Sequence, residues 1–226
     1  DILVVDSASP DGTADIVSEY CAAHPAAPIR LIREDVRRGK VSAINLGLTQ
    51  AEGDVVILTD APALFWPDTI RLILENFKDP EVGGATGRWV NYPYAAETAA
   101  QKSRRPIVGF RTMLRHLESE VDSTYAVTGE LIAFRKRLVP SIPAHIGQDD
   151  LYIALGIRQQ GYRVIADSRA AYTEKSASTY TDLVAQKKKE SAGCTQLMIH
   201  YRRMILNPRY GLYGMMILPT KITHSP

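Results

Sequence analysis

Short apolar runs that end on an aspartate, with helix-patterned segments between them, constrain this chain more than any other feature. Residues 2–5 read Ile-Leu-Val-Val and are followed by Asp6; residues 54–58 lead through Thr59 to Asp60. Apolar runs of this length, bounded by turn-forming residues, read as buried strands. After the first comes a polar loop and then a helical pattern with Ala14, Ile16, Val17 and Tyr20 as its apolar positions and Thr13 as its expected cap. Residues 29–32 read as a strand, 41–48 as a helix entered through Arg37, Arg38, Gly39 and Lys40, 68–76 as an amphipathic helix and 82–90 as a further strand. Strands alternating with helices make an α/β domain, with a mostly parallel central sheet flanked by helices. Ligands of such sheets sit outside the carboxyl ends of the strands, where Asp6 and Asp60 stand.

The second half continues in kind. Residues 95–120 form a helical stretch carrying Lys102, Arg104, Arg105, Arg111 and Arg115. Residues 128–134 read as a strand, 151–160 as a helix stopped by Gly161, 162–166 as a strand, and 180–201 as a long helix containing Lys187, Lys188 and Lys189. There is no internal repeat or linker, so one compact domain is expected. The net charge of +2 is too small to argue for a nucleic-acid partner. Cys21 and Cys194 lie far apart and form neither a metal-ligand pair nor a disulfide framework, which suits a reducing compartment. No apolar run approaches the ~18 residues of a membrane span. Residues 211–219 are apolar and read equally well as a last core element or as the approach to a membrane region. The chain opens directly on a strand without an initiator Met, so its true start is expected to lie upstream.

Several residues carry possible chemistry, each beside a plainer role. Asp6 is placed to accept hydrogen bonds from a base or ribose, or to bond its own turn. Gly39 and Lys40 precede a helix, where backbone amides and an ammonium together suit a diphosphate; a solvated basic turn is the alternative. Asp60 would be the first half of an Asp-x-Asp metal pair, but Pro62 stands where the second Asp would be; its plain role is a loop cap. Asp149 and Asp150 precede a helix, as a cap or as a general base whose pKa the adjacent acid raises. Residues 186–189, Gln-Lys-Lys-Lys, are either a solvated face or donors toward diphosphate or acceptor.

Taken in order, these segments resemble the inverting family 2 glycosyltransferases of GT-A fold, the family of the cellulose, chitin and hyaluronan synthases. Residues 4–13, Val-Val-Asp-Ser-Ala-Ser-Pro-Asp-Gly-Thr, resemble its nucleotide-binding strand end, which implies that Asp6 contacts the base. Residues 39–45, Gly-Lys-Val-Ser-Ala-Ile-Asn, resemble Gly-Lys-x-x-Ala-x-Asn, with Lys40 near the nucleotide. Residues 53–60 resemble the strand that ends in Asp-x-Asp, which makes Asp60 a nucleotide and metal contact. Residues 128–135, Thr-Gly-Glu-Leu-Ile-Ala-Phe-Arg, resemble the acceptor-side segment, which includes Gly129. Residues 148–155 resemble the motif of the catalytic base, with Asp150 as the base and Asp149 on the acceptor side. Gln186 matches the Gln of Gln-x-x-Arg-Trp, Lys189 replaces its Arg and Glu190 its Trp; Gln186 and Lys189 are thereby assigned to the acceptor side.

The resemblance implies transfer of a hexose, with inversion, from a nucleoside diphosphate sugar (UDP-linked) to a hydroxyl of a lipid or glycan acceptor at the cytoplasmic face of the cell membrane. Mg²⁺ or Mn²⁺ at Asp60 would be the cofactor. Residues 1–205 would be the catalytic domain without the family's first strand, and 206–226 the lead-in to a membrane region. The rival readings are a non-catalytic nucleotide- or glycan-binding domain and a nucleotidyltransferase.

Overall fold

A computed structural model of the chain describes residues 1–90, 99–125, 127–174 and 180–220; the side chains of 99–108, 180–187, 189 and 190 lie outside the described set. Strand β1 (Ile2–Ser7) and strand β2 (Ile29–Glu34) pair in parallel, joined by helix α1 (Thr13–Ala23). Helix α1 starts one residue earlier than expected, at Thr13 itself. Gly12, in the left-handed region at φ 78°, is its N-cap, and Thr13 is its first residue, bonded through amide and hydroxyl to Asp11 Oδ1. Helix α2 (Lys40–Gln50) packs on β1.

The larger sheet holds β3 (Val55–Leu58), β4 (Leu64–Phe65), β5 (Val82–Trp89), β6 (Ile132–Arg135) and β7 (Arg163–Thr173), in the order β3-β6-β5-β7-β4. Only β5 and β7 pair in parallel; β3–β6, β5–β6 and β4–β7 are antiparallel. The expectation of a mostly parallel sheet is therefore corrected to a mixed one. Apolar runs report burial and carry no direction; direction comes from the connections, here a long excursion through helix α4 (Ala99–Val121) that returns as β6 reversed. Two strand bounds shift as well. The expected strand 128–134 begins only at Ile132, with residues 128–131 forming a turn closed by a Thr128–Leu131 bridge. Strand β7 extends seven residues past the expected end at 166.

Strand β6 lies inside the sheet, between β3 and β5, and its Ile132, Ala133 and Phe134 are fully buried. Truncating Phe134 to Ala would cost about 3–5 kcal/mol. Strand β5 is glycine-rich because it has no room for side chains: a Cβ on Gly83 would fall 2.6 Å from Ile157 and Tyr162. One face of the sheet carries the main core, which draws on α2, helix α5 (Asp149–Gln159), helix α6 (Tyr180–His200) and, near the end of the chain, Tyr213 and Leu218. A smaller cluster holds Ile73 of helix α3 (Thr69–Glu75) with Leu131, Ala170 and Tyr172. Arg158 and Asp122, 2.8 Å apart, tie the end of α4 to the last segment: the Tyr213 amide donates to Asp122 Oδ2, and the Arg158 guanidinium lies over the Tyr213 ring.

Candidate functional site

The site forms around one ammonium. Gly39 takes φ 93° and turns the chain into α2, making Lys40 its first residue. Lys40 Nζ lies 2.9 Å from Asp60 Oδ1, two residues beyond β3, and 3.3 Å from Asp149 Oδ2, on the first turn of α5. Burial pulls the Lys40 pKa down, but Asp149 and Asp60 outweigh it and the net shift is upward, so the amine stays charged. Gly129 completes the wall: a Cβ there would stand 3.3 Å from Lys40 Nζ and 3.4 Å from Asp60 Oδ2. Thr59 Oγ1 donates to the Glu130 carbonyl at 2.8 Å, which fixes the 128–131 turn against the end of β3.

Asp149 and Asp150 lie inside the first turn of α5, after the N-cap Gln148, rather than before the helix. The partial positive charge of a helix N-terminus favours carboxylates there. Asp149 is buried, and its Oδ2 lacks a hydrogen bond and has the Lys40 ammonium as counter-charge. The Asp150 carboxyl is crowded by protein, and its pKa is pushed up to about 6, chiefly by loss of water and then by the Asp149 charge, against the opposing pull of the Leu151 amide and Lys40. A carboxyl so placed is half ionised at pH about 6 and mostly ionised at neutral pH, where it can accept a proton.

Two further acids border the site that the sequence did not single out. Glu174 directly follows β7, and its pKa is pushed up to about 7 by burial and by a hydrogen bond with Glu130. The one signal for Glu174 is its place at the carboxyl end of a strand, and it was hidden because β7 was expected to stop at 166. Glu130 lies in a stretch expected to be strand.

The surroundings hold the acids in register. Asn45 Nδ2 donates to the Ile142 carbonyl and Asn45 Oδ1 accepts from the Ile142 amide, both at 2.8 Å, which pins the approach to α5 onto α2. A Cβ on Gly193 of α6 would fall 2.7 Å from Gln148 Cγ, so only glycine lets α6 seat the N-cap of α5. Glu34 accepts from Ser7 at 2.5 Å and Ser42 at 2.7 Å, which joins the ends of β1 and β2 to the first turn of α2; these bonds, Ser7 first, hold the Glu34 pKa low.

Lys40, Asp60, Gly129 and Asp149 are thus brought together, with Asp150 next along α5. Asp6 is buried near the carboxyl end of β1, and its carboxylate accepts from the Ser9 amide at 3.3 Å, the turn-forming role. Gln186 and Lys189 lie on α6, but their side chains are outside the described residues. A metal ion held by the protein alone does not fit: Asp60 is engaged by Lys40, Pro62 offers no ligand, and among the described residues no three His, Cys, Asp or Glu side chains converge for a cation.

The sequence profile of glycosyl transferase family 2 matches residues 1–139. A poly-beta-1,6-N-acetyl-D-glucosamine synthase of Staphylococcus aureus (strain COL) is 20% identical over 224 residues, 96% of this chain and 53% of the synthase. The synthase of that name from Staphylococcus epidermidis is 32% identical over 88 residues, 38% of this chain and 21% of the synthase. The chain therefore spans about half the length, or less, of these curated relatives. Among solved structures, the mannosyltransferase PcManGT from Pyrobaculum calidifontis, in complex with GDP-Man and Mn²⁺, is similar with a TM-score of 0.70 and 28% identity, over 100% of this chain and 67% of that one. Residues 1–349 of S. aureus TarS, in complex with UDP-GlcNAc, are similar in fold at TM-score 0.58 and 16% identity, over 88% of this chain and 57% of that one.

Proposed function

The chain belongs to glycosyl transferase family 2 and has the GT-A fold, and we propose that it moves a hexose, with inversion, from a nucleoside diphosphate sugar to a hydroxyl acceptor. The observation that carries this reading is the convergence of Lys40, Asp60 and Asp149 beside a carboxyl, Asp150, whose pKa is raised to about 6. Asp150 takes the proton of the acceptor hydroxyl while its oxygen attacks the anomeric carbon. The bond from that carbon to the diphosphate breaks on the opposite face, and the nucleoside diphosphate leaves with the electron pair. Lys40 faces the negative charge that builds on the leaving group. Asp6 contacts the base, and Gly129, Asp149, Gln186 and Lys189 border the acceptor.

UDP is the donor nucleotide in this reading; GDP is the competitor, because a similar mannosyltransferase was solved with GDP-Man. The acceptor is a lipid or a glycan at the cytoplasmic face of the membrane, in keeping with relatives named as polysaccharide synthases. The Mg²⁺ or Mn²⁺ expected at Asp60 is reduced to one protein carboxylate that Lys40 already holds, so no step is routed through it. Calorimetric titration of UDP and of GDP, with and without Mn²⁺, tests the reading. Saturable UDP binding that Asp6→Ala abolishes supports it. Nucleotide binding with no transfer to any acceptor from any nucleotide sugar would instead favour a non-catalytic binding domain.

A further inference from the structure

The pairing of β5 with β7 slips near the carboxyl end of β5. Thr86 faces Ala166 and Arg88 faces Ala171, so β7 advances five residues while β5 advances two. The excess is a bulge, folded by Asp167. Its Oδ1 accepts from the Arg169 amide at 2.9 Å, and its Oδ2 accepts from the Arg169 guanidinium at 2.7 Å and from Asn76 at 3.0 Å. Gly87 lies opposite and makes room for the bulge, since a Cβ there would fall 2.4 Å from the Ala170 carbonyl oxygen. The same Cβ would fall 2.7 Å from Leu131, at the end of the 128–131 turn that borders the site. Helix α4 packs beside the bulge: the Ser119 hydroxyl accepts from the Ala166 amide at 2.8 Å, and the Ser119 carbonyl accepts from Arg163 at 2.7 Å. His116, Arg115 and Thr112 precede Ser119 at helical spacing and share its side of the helix. They line a small hollow with Gly87, Arg88 and Asp167.

The empty space of the hollow is about 230 Å³, open to solvent. Pockets that enclose a whole small molecule run to ~300–1,000 Å³, so this one suits a single charged group. Its lining brings together two guanidinium groups, one from β5 and one from α4, with an imidazole and a hydroxyl. Arg88 is fixed against the bulge by its Nε, which donates to the Ser168 carbonyl at 3.0 Å. Asp167, the acid of the lining, is already engaged. Burial raises its pKa, but the bonds from Arg169 and Asn76 outweigh burial and hold it low. It therefore does not cancel the charge of Arg88 and Arg115. Guanidinium forks bind carboxylate and phosphate alike. Donors arriving from a strand and from a helix match the several oxygens of a tetrahedral phosphate better than the two of a planar carboxylate. We propose that the hollow between α4 and the β7 bulge binds a phosphate group, free or carried on an ester, through Arg88, Arg115 and His116 and apart from the nucleotide.

The test is calorimetric titration of the whole chain with inorganic phosphate, with glucose 6-phosphate and with glucose as the blank. Saturable phosphate binding is expected, weakened by salt. Arg88→Glu and Arg115→Gln should each lower the affinity about tenfold, as the loss of one charge-assisted contact does. Arg203→Ala, at an exposed basic residue near the end of the chain, should change nothing. Arg88 is exposed, so its variant keeps the fold, and melting temperature checks this on the same preparations. Tighter binding of glucose 6-phosphate than of inorganic phosphate assigns the hollow to an esterified phosphate, and the reverse assigns it to the free ion; either supports the site. Absence of phosphate binding, or binding indifferent to both arginine variants, overturns the proposal. Phosphate fully displaced by saturating UDP places the ion in the nucleotide site and also overturns it. Phosphate binding that survives without any UDP binding removes the nucleotide reading alone.

Discussion

Lys40 Nζ stands 3.3 Å from Asp149 Oδ2 and so joins the first residue of α2 to the first residue of α5 across the site. The same amine reaches Asp60 at the end of β3. One cation therefore holds three elements in register, and the site's behaviour should follow its charge.

Replacing Lys40 by Met leaves buried Asp149 without its counter-charge. UDP affinity should fall about tenfold, the worth of one charge-assisted contact. The acid limb of the transfer rate should move above pH 6, because Lys40 is what helps keep Asp150 ionised. Titration calorimetry and a pH–rate profile measure the two effects. An unmoved limb with weakened binding would restrict Lys40 to the nucleotide.

Asp150 sets the pH dependence. Its folded pKa of about 6 lies above the usual carboxylate value of about 4. The fold thus favours the protonated acid: this contribution to stability is full below pH about 4 and is lost as pH rises through about 6. Transfer needs the ionised form and should fall off below pH about 6. Asp150→Asn should lower transfer about 10²–10⁴-fold, keep UDP affinity within a few fold, and stabilise the fold above pH 6 by roughly 2 kcal/mol. Thermal melts across pH and single-turnover rates check these. Transfer surviving near the parent rate would remove Asp150 from the role of base.

Gly129 has no room to spare. The Cβ of Gly129→Ala would press on Lys40 Nζ and Asp60 Oδ2. UDP affinity should drop several fold while the melting temperature barely moves, since the 128–131 turn keeps its bond from Thr59 to Glu130. Unchanged affinity would place the nucleotide away from this wall.

Pro62→Asp restores a second carboxylate two residues after Asp60, on an exposed loop. Mn²⁺ titration should detect binding by the variant that is weaker or absent in the parent. Equal binding by both would put the cation elsewhere.

Most of the elements were legible from apolar periodicity, and four of the converging residues from strand-end and helix-start positions: Lys40, Asp60, Asp149 and Asp150. What stayed hidden was relational. The antiparallel return of β6 leaves no trace in its own run, because Ile132 to Phe134 would be equally apolar in either direction. Glu174 and Glu130 became neighbours only through the long β7 and the 128–131 turn. The hollow beside α4 was invisible too: the pattern gives the helix, and only the Ser119 bonds to β7 give its orientation.

The Asn45–Ile142 pair has a kinetic consequence. Its two hydrogen bonds join residues 97 apart in sequence, and they tie α2 directly to the approach of the acid-bearing helix. Contacts of such separation must close a large loop before they repay its entropy. Nucleotide binding should therefore return late in refolding, after helical signal has recovered, and an early collapsed species would show helix without a working ligand site.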